Sequence, residues 1–258
     1  LQEATLEVNI KKLEKEQLFH DGKMKKLFST SNPDYLFMEF KNEVIPIDGK
    51  KAKKVRGKAQ INSDVSSYVF QFLDSYHIPT HYVGKLDDKW LVVRKLEMIP
   101  IYVIVRNVSA GNFSKNFRMD EGQVLPAPII EFYFKNDKMG NPMVNEYHLY
   151  AFGSANQDEI RMIQRLSAKV NAVMKNFFER RDYQLVDLKL EFGRNKGKIC
   201  LGDEITLDTC RIWDNGDGRK MEKEVAKSKE NEIGKIYAEV KQRIIHPRSK
   251  DEKLNLVG

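Results

Sequence analysis

Apolar and polar positions alternate along this chain in two recognisable rhythms. From Leu18 the pattern is one of short runs. Residues 18–20, a turn at Asp21-Gly22 and residues 23–29 predict a β-hairpin, and residues 35–40 a third strand. Residues 62–76 shift to a helical period, with Val65, Val69 and Phe72 on one face after a Ser63/Asp64 cap. Residues 80–83 and 90–96 return to strand, which makes a small, mostly antiparallel sheet with one helix. A β-branched strand at 101–106 opens the second half. A loop-rich stretch holding Gly111, Gly122, Pro126 and Pro128 separates it from a strand at 129–134. The strongest helical signal runs over 156–181, where Ile160, Ile163, Leu166, Val170, Val173 and Phe177 share a face. Strands at 184–192 and 198–205 and a charged helix at 221–245 complete the chain. The pattern predicts an α+β fold of two lobes with antiparallel sheets. A polar N-terminal extension over 1–17, loose or helical, precedes a small lobe over 18–98 and a larger one over 99–258.

Composition narrows the class. At 258 residues the chain can bury a sizeable core. No apolar run approaches the roughly 20 residues that span a bilayer, so no membrane partner is expected. The opening Leu1-Gln2-Glu3-Ala4 has neither a basic nor an apolar leader segment, so no signal peptide is expected. It also lacks Met, which predicts a processed or truncated start. Cys200 and Cys210 form no Cys-x-x-Cys pair, which argues against a disulfide scaffold or thiolate zinc site and suits a reducing cytoplasm. The net charge of +7 suits anionic partners, phosphorylated metabolites among them. Runs such as Lys50-Lys51-Ala52-Lys53-Lys54 are otherwise a solvated face. No stripe of aromatic residues interleaved with basic ones exists, so nucleic acid is not an expected partner.

Candidate chemistry concentrates on the strand over 184–192. Strand side chains alternate between faces, so Val186, Leu188 and Leu190 are expected in the core and Asp187, Lys189 and Glu191 together on the other face. The turn at 194–197 leads back along 198–205 and brings Asp203 near Glu191. Two neighbouring carboxylates repel unless a cation lies between them. Mg²⁺ on nucleotide phosphates suits such a pair, because it takes one or two carboxylates along with phosphate oxygens and water. The plainer alternative is an ordinary exposed strand face.

Two further signals are weaker. Gly22, Lys23 and Lys25 at the first hairpin tip can cradle a polyphosphate, or simply form a basic turn. Arg106, at a strand end before Ser109-Ala110-Gly111-Asn112, and Arg211 both suit a phosphate monoester or a surface salt bridge. The five histidines lack metal-ligand spacing.

Taken in order, several stretches resemble the SAICAR (phosphoribosylaminoimidazole-succinocarboxamide) synthetase family. They are Gly22-Lys23-Met24-Lys25-Lys26, Arg94 to Pro100, Val105 to Gly111, Glu131 to Asp137, Val144-Asn145-Glu146, Asp187 to Gly193 and Leu201 to Asp214, spread from about residue 18 to 245. The resemblance implies two lobes related to the ATP-grasp fold with ATP in the cleft. It implies that Gly22, Lys23, Lys25 and Lys135 meet the phosphates of ATP, and that Glu97 and Met98 hold adenine. Glu191 and Asp203 would bind Mg²⁺. Arg106, Asn112, Lys189, Arg211 and, more weakly, Asp48 would bind the ribonucleotide, with Lys189 and Asp187 as catalytic residues. The implied reaction joins carboxyaminoimidazole ribonucleotide to L-aspartate at the expense of ATP, in purine biosynthesis. The expected partners are small molecules, a phosphoribosyl imidazole carboxylate and an amino acid, with self-association into a homo-oligomer left open.

The chain departs from the family pattern mainly around the substrates. It has Gly111-Asn112 for Gly-Ser, Asn116 for a basic residue, Lys58-Ala59 for Lys-Gly, Asn62-Ser63 for two asparagines, Asn141 for an acid, Thr206-Leu207-Asp208 for Ser-Pro-Asp, and an altered 44–47 loop. A relative that keeps the ATP chemistry but ligates a different carboxylate or amine is the alternative. A degenerate nucleotide-binding module would not need Lys23, Lys135, Lys189, Glu191 and Asp203 intact, and a phosphotransferase would use the same ATP machinery on a hydroxyl.

Overall fold

The first hairpin forms, with a longer loop than a two-residue turn. Asp21 pairs with Lys26, and the Gly22 N–H donates to the Lys25 carbonyl at 2.9 Å. The flanking strands are β1 (Lys15–Asp21) and β2 (Lys25–Thr30). The structure is a computed structural model that describes residues 8–45 and 52–246. Within the expected N-terminal extension, residues 8–14 contain one 3₁₀ turn at Ile10–Lys12, and β1 starts ahead of the expected strand. The chain continues through β3 (Tyr35–Phe40), a short ribbon of β4 (Glu43–Val44) and β5 (Lys53–Lys54), helix α1 (Lys58–Ser75), β6 (Tyr82–Lys85) and β7 (Trp90–Arg94). Five of these strands make an antiparallel sheet of order β1-β2-β3-β7-β6. Helix α1 begins a turn earlier than its sequence pattern suggests, because Gly57 takes φ +83° and stops the preceding ribbon. The expected cap residues lie inside the helix: Ser63 is buried, and Asp64 pairs with Lys85 and with Lys241 at 2.5 Å.

Only Lys95 and Leu96 separate that sheet from the next. The second half comprises β8 (Glu97–Val108), α2 (Gly111–Phe117), β9 (Val124–Phe134), β10 (Met143–Val144), α3 (Glu146–Ala151), α4 (Gln157–Glu179), β11 (Tyr183–Asn195), β12 (Lys198–Leu201), β13 (Cys210–Asp214), α5 (Met221–Lys227) and α6 (Glu230–Ile245). Its antiparallel sheet runs β10-β9-β8-β11-β12, with β13 also on β11. The expected loop after residue 110 contains a helix, α2. Pro126 and Pro128 sit within β9, where the pairing with β8 is interrupted between Ile129 and Val124, so neither proline removes a ladder bond. The expected single terminal helix is broken at Ser228-Lys229. Helix α4 carries a full capping box, with Asn156 and Glu159 exchanging backbone and side-chain bonds at 2.9 Å.

The main core joins the two halves. Val65, Val69, Phe70 and Leu73 of α1 pack with Ile99, Ile101 and Val103 of β8, Leu188 and Leu190 of β11, and the apolar faces of α4 and α6. The first sheet has a smaller core of its own around Met38, Phe40, Leu91 and Val93. Val186 is a correction to the alternation: Leu185 pairs with Ile212 and Asp187 with Arg211, so two residues of β11 oppose one of β13. This bulge turns Val186 to the other face, against Val108, Ala110 and Trp213, while Leu185, Leu188 and Leu190 share the main core. No helix among the described residues is long and apolar enough to cross a membrane.

His81 is buried edge-on to Phe70, and its Nδ1 has no hydrogen-bond partner among the described residues. Burial pushes its imidazole down to about 3. An unfolded chain takes up this proton near pH 6.5, and the native one does so only far lower. Stability is therefore full above pH 6.5 and falls as pH drops, by about 1.4 kcal/mol per unit. Urea unfolding is expected to show roughly 2 kcal/mol more loss between pH 6.5 and 5 in the wild type than in His81→Leu. Equal losses in the two proteins would contradict the assignment.

Candidate active site

Three lysines and three carboxylates from four separate elements converge beside the joint between the sheets. β11 supplies Lys189 and Glu191, two residues apart on one face, and Lys189 Nζ lies 2.7 Å from Glu191 Oε1. Lys135, just past the end of β9, reaches the other oxygen of the same carboxylate at 2.6 Å. From the first sheet, Lys25 at the start of β2 pairs with Asp203 and, at 3.0 Å, with Glu204. Lys23 stands further out on the hairpin tip and bridges to Asp137 at 2.8 Å. Lys23 and Lys25, both expected at the hairpin tip, thus have different partners. Lys25 is almost enclosed, whereas the Lys23 side chain is 66% exposed.

Asp203 approaches Glu191 by a different route from a continued ladder. The pairing of β11 with β12 ends at Phe192 and Leu201, and the Gly202 N–H then donates to the Glu191 carbonyl at 2.8 Å. Asp203 follows with φ +62°, a left-handed turn that Asp tolerates better than most residues. The turn lets Lys25 touch both Asp203 and Glu204. Burial alone would raise the Asp203 carboxyl, but Lys25, Lys189 and Lys135 hold it below the usual carboxylate range. Glu204 is raised by burial, which Lys25 only partly offsets. Burial works against the Lys25 and Lys189 ammonium groups, yet Asp203, Glu204 and Glu191 keep the first above its ordinary value, and Glu191 and Asp203 do the same for the second. Lys25 thus meets Asp203, while Lys135 and Lys189 meet Glu191.

Among the described residues no group of three or more His, Cys, Asp or Glu is arranged to hold a metal unaided. The donor set of Glu191 and Asp203 instead fits an ion that takes one or two carboxylates and completes its shell from phosphates and water, as Mg²⁺ does.

A second cluster lies along the same strands. Arg106 Nε donates to Glu131 at 2.8 Å and its Nη1 to Asp187 at 3.2 Å, and the Tyr133 hydroxyl donates to Glu131 at 2.9 Å. Arg211 lies 3.7 Å from the other Asp187 oxygen. Burial lifts the Asp187 carboxyl above its usual range, and Arg211 and Arg106 offset only part of this. Asp187 therefore contacts two guanidinium groups rather than the lysine cluster. The Tyr102 and Tyr133 rings stack at 5.0 Å, and Lys189 Nζ lies 4.9 Å over Tyr102, so the rings connect the two clusters.

Asn112 is exposed on the first turn of α2, next to Gly111. Gly111 has φ +60°, and a Cβ there would stand 2.7 Å from Arg211 Nη1. Gly111→Ala combines a left-handed strain of about 1 kcal/mol with displacement of the guanidinium. On the expectation that Arg211 meets a phosphorylated substrate and the lysine cluster a nucleotide, KM for the first rises about tenfold, equivalent to ~1.4 kcal/mol, and KM for the second stays near that of the wild type. Steady-state kinetics in each substrate checks this, and equal rises in both constants would contradict it.

Glu97 is exposed at the start of β8, bridged to Arg194 at 2.8 Å. Met98 follows it, packed over glycines: a Cβ at Gly193 would lie 2.9 Å from the Glu97 carbonyl oxygen and 3.1 Å from Met98 Sδ, and one at Gly202 would lie 3.5 Å from that sulfur. The expected adenine segment is thus seated against the turn that carries Asp203. Asp48 lies outside the described residues, as do residues 46 and 47 of the altered 44–47 loop. Glu131, Tyr133, Tyr102, Asp137 and Glu204 were not among the expected site residues. Glu131, Tyr133 and Lys135 are spaced two apart, so the alternation that selected β11 could have selected this face of β9 too.

The family model for SAICAR synthetase matches residues 18–244. The chain belongs to the SAICAR synthetase family. A phosphoribosylaminoimidazole-succinocarboxamide synthase from Chloroherpeton thalassium is 40% identical over 233 residues, which is 90% of this chain and 99% of that one. Its counterpart from Caldanaerobacter subterraneus subsp. tengcongensis is 39% identical over 232 residues, again 90% of this chain and 99% of the other. A solved type-2 SAICAR synthetase in complex with ADP superposes with a TM-score of 0.84 at 38% identity, covering 91% of this chain and all of that one. The synthase of Ehrlichia chaffeensis gives the same TM-score at 34% identity over 90% of this chain and 100% of its own. The α+β fold with antiparallel sheets is therefore that of SAICAR synthetases.

Proposed function

We propose that this chain is an ATP- and Mg²⁺-dependent ligase of purine biosynthesis that joins carboxyaminoimidazole ribonucleotide to L-aspartate, releasing ADP and phosphate. The observation that carries the reading is the convergence of Lys25, Lys135 and Lys189 with Glu191 and Asp203, beside the Arg106–Arg211 pair, in a member of this family. The relatives' shared name favours this reaction over a different acceptor or amine. In this reading residues 18–98 form the small lobe that holds adenine and the phosphates, residues 99–258 the larger lobe that holds metal and ribonucleotide, and ATP lies in an ATP-grasp-like cleft between them. The two buried free cysteines suit a reducing cytoplasm.

A carboxylate resists amines because its charge is delocalised and oxide is not a leaving group. Attack by a carboxylate oxygen on the γ-phosphorus of ATP forms an acyl phosphate and releases ADP. The neutral amine of aspartate then adds to the acyl carbon, phosphate departs with that oxygen, and the amine nitrogen loses a proton. Most of the work left to the protein is positioning and charge neutralisation. Lys23, Lys25 and Lys135 bind the phosphate chain. Lys189 screens the acceptor carboxylate from the incoming phosphoryl group. Arg106 and Arg211, oriented by Asp187 and Glu131, hold the ribonucleotide phosphate, with Asn112 beside them. Glu191 and Asp203 would hold Mg²⁺, which when bound neutralises charge on the phosphates.

ADP release is the direct test. Release that requires both carboxyaminoimidazole ribonucleotide and L-aspartate is the expected result. Release that is indifferent to the ribonucleotide would overturn the reading.

A further inference from the structure

The loop from Gly202 to Thr209 presents Asp203 from a left-handed backbone conformation, which Asp tolerates and the bonds around it fix in place. Its far end is a tight knot of hydrogen bonds. The Thr206 hydroxyl accepts from the Asp208 N–H at 3.1 Å, and the Thr206 carbonyl accepts from the N–H groups of Thr209 at 3.1 Å and Cys210 at 2.8 Å. The Thr209 hydroxyl donates to the Glu204 carbonyl at 3.1 Å, which ties the knot to the residue after Asp203. Lys189 N–H donates to the Thr209 carbonyl at 2.8 Å, which ties it to β11. A shift of Asp208 is therefore passed to Asp203 through few soft torsions.

Asp208 is itself gripped on both oxygens by groups that belong to neither the lysine cluster nor the arginine cluster. Its Oδ2 accepts from Lys58 Nζ at 2.5 Å and Asn62 Nδ2 at 2.6 Å, and its Oδ1 from the Tyr237 hydroxyl at 2.6 Å. The Lys58 side chain is 0% exposed, Asn62 and Tyr237 are buried, and Lys58 Nζ lies 5.4 Å from the Tyr237 ring centroid. The donors come from α1 and α6, two helices whose apolar faces are fixed in the main core. A buried ion pair of this kind is weak evidence for stability, since apolar residues often do as well there. What it supplies that apolar packing does not is a set of directional contacts to one carboxylate.

We infer that Lys58, Asn62 and Tyr237 are positioning residues that, through Asp208, hold Asp203 in place for the divalent ion. The inference rests on the reading above, in which Asp203 and Glu191 hold that ion beside a nucleotide. It makes the metal site depend on the seating of α1 and α6, neither of which touches the ion.

The test is direct binding. Mn²⁺ is titrated into full-length protein in the presence of ADP and followed by its paramagnetic resonance signal, alongside ADP binding in chelator and urea unfolding. Tyr237→Phe keeps the ring and removes one donor to Asp208; Asn62→Leu keeps the size and removes another, and it carries the test if the first variant does not fold. Each is expected to weaken Mn²⁺ binding with ADP about fivefold, while metal-free ADP affinity changes less than twofold. Lower stability with unchanged Mn²⁺ affinity would show a purely structural cluster and overturn the inference while leaving the proposed function intact. A wild-type protein that binds no Mn²⁺ with ADP would instead overturn the metal assignment and the inference with it.

Discussion

Lys25→Met is expected to destabilise the protein by roughly 3–5 kcal/mol, the scale for removing one partner of a buried ion pair. The change leaves Asp203 and Glu204 enclosed without the ammonium that serves both. Among the described residues Glu204 has one further hydrogen bond, from the Thr206 hydroxyl at 3.3 Å, which does not replace a charge. A shortfall of this size is a large share of the 5–15 kcal/mol that holds a domain together, so expression at 37 °C is expected to suffer as well. The double variant Lys25→Met/Glu204→Gln removes one of the stranded charges and is expected to recover about half of the loss. Urea unfolding of the wild type and both variants checks the pair of expectations. A single variant as stable as the wild type would mean that water reaches the carboxylates and that Lys25 is not their counter-ion.

Glu191→Gln is expected to lower turnover by about 10²–10³, the scale for losing one preorganised charged group in an active site. Glu191 accepts both Lys135 and Lys189, and glutamine keeps the shape while losing the charge. Stability should change far less than for Lys25→Met. The two lysine side chains that lose their partner are 52% and 35% exposed and remain solvated. Turnover, the Mg²⁺ concentration for half-maximal rate and the unfolding midpoint are measured together. The expected signature is a large drop in the first, a rise in the second and a midpoint within a few degrees of wild type. Retained turnover at ordinary Mg²⁺ would remove Glu191 from the site.

The residues that strand alternation handles well were legible before any coordinates. Lys189 and Glu191 share a face of β11 as their spacing requires, and Lys135 meets them. Alternation misled wherever the backbone stopped being regular. A bulge beside Asp187 sends Val186 to the opposite side, and no local signal in Leu185-Val186-Asp187 marks it. Asp203 and Glu204 would lie on opposite faces of a continuing strand, which hides Glu204 from a search for paired carboxylates; the left-handed turn at Asp203 brings both to Lys25. Asp187 and Arg106 were each recognised, but their pairing depends on the register of β8 against β11, which neither strand specifies alone. The grip on Asp208 is more distant still, since Lys58 is 150 residues away along the chain. The antiparallel sheets and most helices followed from periodicity. The short helices α2 and α3 and the break between α5 and α6 did not, because six or seven residues or a single turn carry too little period to see.

Lys25 loses most of its hydration while the chain folds, because its carboxylate partners surround it. A nucleotide seated in this site therefore meets an ammonium already stripped of most of its water, and titration calorimetry should show a reduced heat of dehydration from it. The dependence of binding on ionic strength then falls to Lys23 and Lys135, whose side chains remain open to solvent.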